Sequence, residues 1–327
     1  MRFEYDQVDW PFRTAFRRAG SASTCARTVQ VTLTDGALVG RGEALGVRYH
    51  GETPASLLLQ LGAVKGEFES KASVSREELQ IMLPAGGARN AIDCALWDLE
   101  AKSSGRRAWH LAGIQSASPL TTAYTLSVDT PGNMAKSAQR LGQYSLLKLK
   151  LAGDGDLDRV QAVRRVRPDA DIIVDANQAW SEQQLGEFIS PLVDLGVSLI
   201  EQPLPVGMDG VLVEYDGPIP LCADESCQAT ASLPELAGRY RFINIKLDKA
   251  GGLTEALRMA RVARELKFDL IVGCMGGSSL AMAPGFVVGQ LCDLVDLDGP
   301  LLAAKDVTHP IRYEGSLMFP PDPDLWG

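Results

Sequence analysis

The chain is poor in the residues that build the most common metal and nucleophilic sites. Its 327 residues include three histidines, so a histidine-rich zinc site or a histidine-centred catalytic triad has little material to draw on. The six cysteines form no C-x-x-C pair, and the first ten residues lack the apolar segment of a secretory signal, which predicts reduced thiols in the cytoplasm. Any metal site should therefore be built mainly from oxygen ligands.

Positive charge is also scarce. Lys plus Arg number 32 against 41 Asp plus Glu, and the net charge of −9 argues against a protein that binds phosphate backbones. The longest stretch without a charged residue, 270–292, contains five glycines, Pro284 and Gln290, so it favours a buried strand, loop and helix over a membrane span. We expect neither nucleic acid nor a membrane as a partner.

The second part of the chain has a repeating pattern. The length of the whole chain, 327 residues, suggests two domains or one large barrel, because a typical domain has roughly 150 residues. From about residue 118, short apolar runs alternate with amphipathic segments, and the candidate strands end 22 to 27 residues apart. Eight such strands predict a closed parallel barrel whose carboxyl ends share one face. The predicted strand ends lie near Thr125, Lys150, Asp175, Glu201, Asp224, Lys246, Gly273 and Asp298, with helices at 132–141, 157–166, 181–195, 232–239, 253–266 and 279–291.

Charged residues stand at most of these strand ends. Asp175, Glu201 and Asp224 end three consecutive strands, and a lysine ends the strand on either side of them. Each acid alone is more often a helix N-cap or a solvated loop residue. Three together need a compensating cation, and hard oxygen ligands favour Mg²⁺, with Mn²⁺ possible, over Zn²⁺. The alternative is structural ion pairing without a metal.

Lys150 and Lys246 end the strands that bracket the three acids. Since these strands lie roughly opposite each other around a barrel, the two amines could act on both faces of one carbon, one removing an α-proton and the other returning it. The metal would stabilise the enediolate formed in between, so the pattern predicts racemisation or epimerisation. A lysine base needs a pKa near 7 to 8 instead of ~10.4, and Lys148, on the same strand face, is a source of the lowering charge. Lys148 could equally be a packed structural lysine.

A further acidic pair ends the last predicted strand. Asp296 and Asp298 share one face by strand alternation and need a cationic partner. A second metal, an arginine or a substrate ammonium group would each serve, and near the mouth of a barrel we favour the ammonium group.

Ordered motifs along the chain resemble one family. The segments RYHGET, LPAGGARNAIDCALWDLEAK, LLKLKL, IIVDAN, EQPLP, LCADESC, NIKLDKAGGLTEAL, GCM and DLDGP resemble the enolase superfamily, and within it the dipeptide epimerases of the L-Ala-D/L-Glu type. The resemblance implies an N-terminal α+β capping domain, residues 1–115, over a (β/α)₇β TIM-like barrel, residues 116–300. Residues 301–327 are expected to return to the capping domain. A homo-oligomer acting on a small-molecule dipeptide is expected.

The resemblance also implies roles for individual residues. It implies that Asp175, Glu201 and Asp224 bind the metal and that Lys150 and Lys246 are the bases. It further implies that Asp296 and Asp298 bind the ammonium group of a dipeptide whose second Cα is inverted. The remaining expected contacts are Lys148, Thr125, Cys274 and Met275 toward the substrate, with Asn177 and Glu225 supporting the metal ligands.

One departure from the family concerns side-chain selection. Relatives that act on Ala-Glu carry an arginine in a mobile loop of the capping domain, whereas this chain has Gly-Ser-Ala-Ser-Thr at residues 20–24. An acidic second residue is therefore no more expected than a small or apolar one. The candidates for selecting the side chain are Phe16, Arg17, Arg18 and Ser23.

Two other functions compete with the epimerase. A cycloisomerase or an o-succinylbenzoate synthase-like lyase of the same superfamily would use the same metal and lysines, but its substrates lack an ammonium group for Asp296 and Asp298. A barrel without catalytic activity, acting as a scaffold or ligand carrier, would have no use for both Lys150 and Lys246.

Overall fold

The computed structural model describes residues 1–71 and 73–327, and it begins with an antiparallel sheet covered by helices. Strands β1 (Arg2–Arg18), β2 (Ser21–Asp35) and β3 (Leu38–Ala44) pair in that order. The β1–β2 register shifts between Pro11 and Phe16. The helices that follow are α1 (Pro54–Ser70), α2 (Arg76–Met82), α3 (Gly87–Ser104) and α4 (Ala108–Leu111).

Local chemistry sets where these helices begin and how closely they pack. Thr53 caps α1 by accepting a hydrogen bond from the Ser56 amide, and Pro54 occupies the first turn, where its missing N–H costs nothing. Helix α3 lies directly against β3, because a Cβ on Gly42 would stand 2.1 Å from the Ala91 carbonyl oxygen. Only glycine allows that approach. Together β1–β3 and α1–α3 form the N-terminal domain, with its own apolar core.

The second part of the chain is a parallel barrel. After β4 (Leu120–Thr121), eight strands pair in chain order, and an isolated parallel bridge between Thr122 and Val295 links the ends of the sheet. The predicted fold class, a TIM-like barrel with an N-terminal α+β domain, is confirmed. The strands are β5 (Tyr124–Leu126), β6 (Leu146–Lys150), β7 (Asp171–Asp175), β8 (Val197–Glu201), β9 (Leu221–Ala223), β10 (Phe242–Lys246), β11 (Asp269–Gly273) and β12 (Leu294–Asp296).

Helices separate most of the barrel strands, close to the predicted ranges. The largest difference is the helix predicted at 232–239, which ends at Leu236 because the chain turns at Gly238 with a φ of 81°. The uncharged stretch 270–292 is a strand, loop and helix, as predicted. Within residues 1–71 and 73–327, no helix combines the length and apolarity needed to cross a bilayer. The helices are α5 (Pro131–Gln139), α6 (Asp156–Val166), α7 (Glu182–Asp194), α8 (Leu233–Leu236), α9 (Leu247–Ala250), α10 (Leu253–Glu265), α11 (Ser279–Gly289) and α12 (Gly299–Leu302).

The chain ends with contacts to both parts. Strand β13 (Tyr313–Glu314) pairs with β14 (Leu317–Met318), and β14 pairs with β4. Arg41 of the N-terminal domain then donates hydrogen bonds to the backbone carbonyls of Asp324 and Leu325, both at 2.6 Å. The indole of buried Trp326 donates to the Cys94 carbonyl of α3.

The interior of the barrel changes from apolar to charged along the strands. An apolar layer of six residues lies towards the start of the strands, and two residues further on five of the six inward-facing positions are polar. Leu146 is thus followed by Lys148, and Leu199 by Glu201. Because every strand runs in the same direction, these polar positions meet at the carboxyl ends, above the apolar layer. That layer consists of Ala123, Leu146, Ile173, Leu199, Cys222 and Ile271.

Candidate active site

Three carboxylates meet at the carboxyl ends of β7, β8 and β9. Asp175, Glu201 and Asp224 are buried, and each offers a carboxylate oxygen within 4.8 Å of the other two. The three acids that the sequence pattern singled out therefore lie together in the structure. Burial raises the pKa of Glu201 to about 7, with the charge of Asp175 acting in the same direction.

The cluster fits a hard divalent cation. Glu201 Oε2 is buried and forms an ion pair with Lys148 Nζ at 2.7 Å, while Oε1 accepts from the Asn244 amide at 3.0 Å. Buried carboxylate oxygens that lie within 4.8 Å of one another can bind one ion together, and hard oxygen ligands are those that Mg²⁺ prefers. These three residues could hold Mg²⁺.

Two lysines stand on either side of the cluster. Lys150 Nζ donates to Asp175 Oδ2 at 2.5 Å, and Lys246 Nζ donates to Asp224 Oδ2 at 2.6 Å. Both amines line one cavity, with Glu201 between their carboxylate partners in strand order. A molecule in the cavity would therefore lie beside both amines.

The expected lowering of a lysine pKa is not found at Lys246. Burial lowers its pKa, but the charges of Asp224 and Glu201 outweigh burial, so the pKa is raised above that of a free lysine. The reason is that the carboxylates act on the amine with their full negative charge. A divalent cation bound to the same carboxylates would offset that charge.

Lys148 lies beneath the two flanking lysines and binds several acids. Its Nζ is 2.7 Å from both Glu201 Oε2 and Asp296 Oδ2, and 3.3 Å from Asp175 Oδ2, the oxygen that Lys150 also contacts. The two amines of β6 therefore face the same interior, as strand alternation predicts. Burial lowers the pKa of Lys148, yet the three carboxylates raise it overall. Lys148 is a cationic partner for Asp296 that the sequence analysis did not consider.

The acidic pair of the last strand lies beside Thr125. Asp298 Oδ2 accepts from the Thr125 backbone amide at 2.6 Å, and the Thr125 hydroxyl donates to Asp296 Oδ1 at 3.4 Å. All three line the same cavity as the two flanking lysines. Burial, followed by the charge of Asp296, raises the pKa of Asp298 to about 7. A cation entering the cavity here would relieve that repulsion.

Four more predicted residues lie at the cavity. Cys274 and Met275 form part of its wall after β11. The Asn177 backbone amide donates to Asp175 Oδ1 at 2.9 Å, and its side-chain amide donates to Glu225 Oε1 at 3.2 Å. Asn177 has a φ of 43°, a left-handed conformation that asparagine tolerates better than most residues. It therefore connects a candidate metal ligand at the end of β7 to the residue pair that follows β9, two strands away.

The four residues predicted to select the substrate side chain lie at the hairpin tip, residues 16–23, and they face different cavities. Phe16 and Arg18 line the cavity, and Arg18 Nε donates to Ser21 Oγ at 3.0 Å. Arg17 points to another cleft, where its guanidinium is 3.8 Å from Asp129, with 53% of the side chain exposed. Ser23 lies in an adjoining cavity of the N-terminal domain, which also contains Phe16 and Arg18. Of the two arginines, only Arg18 faces the site.

Three residues at the site were missed by the sequence analysis. Lys249, fully buried, donates to Asp224 Oδ1 at 2.6 Å, and Asn244 contacts Glu201. Asn244 stands two residues before Lys246, so strand alternation could have identified it. Tyr49 lines the cavity from the N-terminal domain, and no strand-end pattern marks it because it lies on a loop.

The buried charges of the site do not balance by themselves. Six acids and four lysines are buried in this group, leaving two more carboxyl groups than amines. Buried charges are tolerated when they are paired, so one divalent cation would balance this group with all six carboxyl groups ionised. The acids are Asp175, Glu201, Asp224, Glu225, Asp296 and Asp298, and the lysines are Lys148, Lys150, Lys246 and Lys249.

Comparison with known families agrees with this geometry. Residues 133–323 match the family described as enolase C-terminal domain-like, and residues 3–113 match the N-terminal domain family of mandelate racemase and muconate lactonizing enzyme. The chain belongs to the enolase superfamily. The resemblance inferred from the motifs is therefore confirmed.

Individual relatives in the superfamily are close to this chain. It is 42% identical to the L-Ala-D/L-Glu epimerase of Escherichia coli K12, over 93% of this chain and 95% of the relative. It is also 42% identical to an N-acetyl-D-glutamate racemase from Pseudoalteromonas sp., over 91% and 95%.

A solved structure extends the similarity to the whole fold. This is the crystal structure of an enolase family member from Agrobacterium tumefaciens with homology to dipeptide epimerases, with bound sodium, L-Ala-L-Glu and an ordered loop. It superposes with a TM-score of 0.97 at 42% identity over 99% of both chains. With an epimerase and a racemase among its near relatives, this superfamily member is an enzyme of the isomerase class.

Proposed function

We propose that this chain is a Mg²⁺-dependent dipeptide epimerase that inverts the Cα of the second residue of an L,L-dipeptide. The observation that carries the proposal is the pair of amines, Lys150 and Lys246, lining one cavity on either side of three clustered carboxylates. Inverting a carbon by proton transfer needs one group to remove a proton and another to return one from the opposite face. Similarity to an L-Ala-D/L-Glu epimerase supports the same reaction.

The metal ligands would be Asp175, Glu201 and Asp224. Their buried, clustered oxygens and the excess of carboxyl groups over amines in the site favour Mg²⁺ there. When bound, the cation would supply positive charge that offsets the negative charge developing on the substrate as its Cα–H bond breaks.

The two lysines would then exchange protonation states in each turnover. One neutral amine takes the Cα proton, while the opposite ammonium group delivers a proton to the other face. After the reaction the first lysine is protonated and the second is neutral, so the reverse reaction uses them in the opposite order. Exchange of these protons with solvent carries deuterium onto Cα when the reaction runs in D₂O.

Asp296 and Asp298 would hold the ammonium group of the dipeptide. Asp296 shares its charge with Lys148, whereas the raised pKa of Asp298 marks a carboxyl group that lacks a cation. An ammonium group against Asp298 would gain a charge-assisted hydrogen bond in a buried site. The second Cα of the dipeptide would lie between this pair and the metal ligands, within reach of the lysines.

The preferred second residue is acidic. The sequence analysis treated an acidic residue as no more expected than an apolar one, since the loop lacks an arginine at residues 20–24. However, Arg18 lines the cavity, and its hydrogen bond to Ser21 uses Nε and not the terminal guanidinium nitrogens. A side-chain carboxylate could accept from those nitrogens. L-Ala-L-Glu, bound in the similar Agrobacterium tumefaciens structure, is the first substrate to test.

A second candidate function is racemisation of an N-acylated glutamate. It is favoured by 42% identity to an N-acetyl-D-glutamate racemase. Such a substrate has no ammonium group, and neither has a cycloisomerase or o-succinylbenzoate synthase-like substrate. In all of these cases Asp298 would have no cationic partner, so its replacement separates them from a dipeptide epimerase. Location in the cytoplasm and assembly into a homo-oligomer stay predictions from the sequence.

A dipeptide screen tests the proposal. The protein is incubated in D₂O with Mg²⁺ and a panel of L,L-dipeptides, with N-acetyl-L-glutamate alongside, and the Cα proton of the second residue is followed by NMR. We expect its signal to disappear with formation of the L,D-epimer, fastest for L-Ala-L-Glu. A signal that persists across the whole panel would contradict the proposal, and exchange confined to N-acetylglutamate would favour the racemase.

A further inference from the structure

The segment that follows β10 faces two directions. Lys246 ends β10, and α9 (Leu247–Ala250) begins at the next residue. Within this segment Lys246 and Lys249 both donate to Asp224, whereas Asp248, between them in sequence, faces the N-terminal domain. One short piece of chain therefore carries a candidate base and a contact between the two parts of the molecule.

Asp248 binds the backbone of the N-terminal domain through one oxygen. Its Oδ1 accepts from the amides of Leu45 and Gly46 at 3.0 and 3.1 Å, and from the Asn90 side chain at 3.3 Å. The residue is buried, and burial raises the pKa of its carboxyl group to about 6. Donors to a buried acceptor cannot turn to water if the acceptor is removed, so these contacts fix the two backbones firmly.

The backbone that Asp248 binds leads directly to the cavity. Leu45 and Gly46 begin a loop, residues 45–53, called here the capping loop, and Tyr49 of this loop lines the cavity. The loop is held at its other end by Glu52, which accepts from the Val47 amide at 2.7 Å and from the Gly87 amide at the start of α3. The capping loop is thus tied to α3 and to the residue two positions after Lys246.

Among residues 1–71 and 73–327, none of the N-terminal domain forms such a hydrogen bond with the segment after Lys150, residues 151–155. Its backbone amides at Ala152 and Gly153 donate to Asp156 of the barrel, at 3.0 and 2.8 Å. The hydrogen bonds cited around Lys150 thus come from the barrel, whereas the segment that carries Lys246 is also bonded to the N-terminal domain. The two candidate bases differ in what holds them.

We propose that Asp248 is a positioning residue that aligns Lys246 with the capping loop, so that the N-terminal domain controls proton transfer on one face of the substrate carbon. The proposal rests on the proposed function, since it assumes that each lysine serves one face. Asp248 does not line the cavity and acts through Lys246. Loss of its contacts would let Lys246 shift, and displacements near 1 Å cost roughly 100-fold in rate at reacting centres.

One-sided exchange provides the test. In the Lys150→Gln protein, deuterium exchange at Cα without inversion reports on Lys246 alone, and in the Lys246→Gln protein it reports on Lys150 alone. Asp248→Ala is added to each, and exchange in D₂O is measured by NMR for both epimers of Ala-Glu. We expect a loss of roughly 10- to 100-fold in the Lys150→Gln background and less than about 2-fold in the Lys246→Gln background.

Controls separate positioning from general loosening of the domain contact. Asp248→Asn keeps an oxygen acceptor and should restore Lys246-dependent exchange to within about 3-fold of its parent. Asp93→Ala removes another buried acid that joins α3 to the barrel, through Thr254, which lies eight residues after Lys246, and should change both exchanges by the same factor. Should the alanine variant not fold, Asp248→Ser gives the same comparison, because its hydroxyl is too short to reach both amides.

The outcomes distinguish this inference from the proposed function. Equal losses in the two backgrounds, or no loss in either, would overturn the role of Asp248 while leaving the epimerase proposal standing. If neither single lysine variant supports exchange of any epimer, the proposed function itself fails.

Discussion

Replacing Arg18 by methionine should weaken the use of acidic dipeptides specifically. Arg18 lines the cavity, and methionine keeps much of the apolar stem while removing the guanidinium group. A hydrogen bond to a charged partner contributes about 1.5 to 3 kcal/mol, which corresponds to roughly 10- to 150-fold in rate. Because Arg18 is only partly buried, solvent screening favours the lower end, so we expect kcat/KM for L-Ala-L-Glu to fall about 10- to 30-fold.

The neighbouring arginine provides the matched control. Arg17 has the same chemistry one residue away but lies beside Asp129 in another cleft. Arg17→Met should change kcat/KM by less than about 2-fold, within the range of an exposed ion pair. Initial epimerisation rates of L-Ala-L-Glu and L-Ala-L-Ala, followed by NMR for both variants, decide the matter. Equal losses for the two dipeptides, or a larger loss from Arg17→Met, would refute the assignment of Arg18.

Three further predictions concern the metal, the acidic pair and stability. Chelation should abolish turnover and Mg²⁺ should restore it, and activity that survives chelation would exclude the metal role. Glu201→Gln should weaken Mg²⁺ binding, measured by calorimetry, at least about 10-fold. Asp298→Asn should lower kcat/KM for L-Ala-L-Glu about 100-fold, from loss of a buried charge partner, and a 2-fold effect would favour a substrate without an ammonium group. Burial raises the pKa of Asp93 from 3.8 to about 6, so its stabilising contribution is complete below about pH 4 and is lost as pH rises through 6. The free energy of unfolding, measured by denaturant titration, should therefore fall between pH 4 and 7 by about 2 to 3 kcal/mol less in Asp93→Asn than in the unmodified protein. The same pH dependence in both proteins would contradict this.

The sequence predicted the barrel and its charged layer because both rest on simple periodicities. A spacing near 25 residues marks each strand and helix unit, and the alternation of side chains along a strand fixes which residues face inward. Lys148 and Lys150 face the same interior for this reason. Asp175, Glu201 and Asp224 meet because parallel strands end on one face.

Features that depend on contacts between distant segments were not predictable. Tyr49 reaches the cavity from a loop of the N-terminal domain, and the capping loop is held by Asp248, some 200 residues away in sequence. The pairing of Lys148 with Asp296 joins the second and last strands of the barrel, which only closure of the sheet brings together. Strand alternation could have distinguished the two arginines, because it places Arg18 on the same face of the strand as Phe16 and Arg17 on the other.

The central claim is that Lys150 and Lys246 serve opposite faces of one carbon, and a crossed exchange measurement tests it most directly. The Lys150→Gln and Lys246→Gln proteins are each incubated in D₂O and Mg²⁺ with L-Ala-L-Glu and, separately, with L-Ala-D-Glu. We predict that each variant exchanges the Cα proton of one epimer, that the two variants exchange different epimers, and that neither produces inversion. Exchange of the same epimer by both variants, or inversion at the unmodified rate by either, would contradict the account.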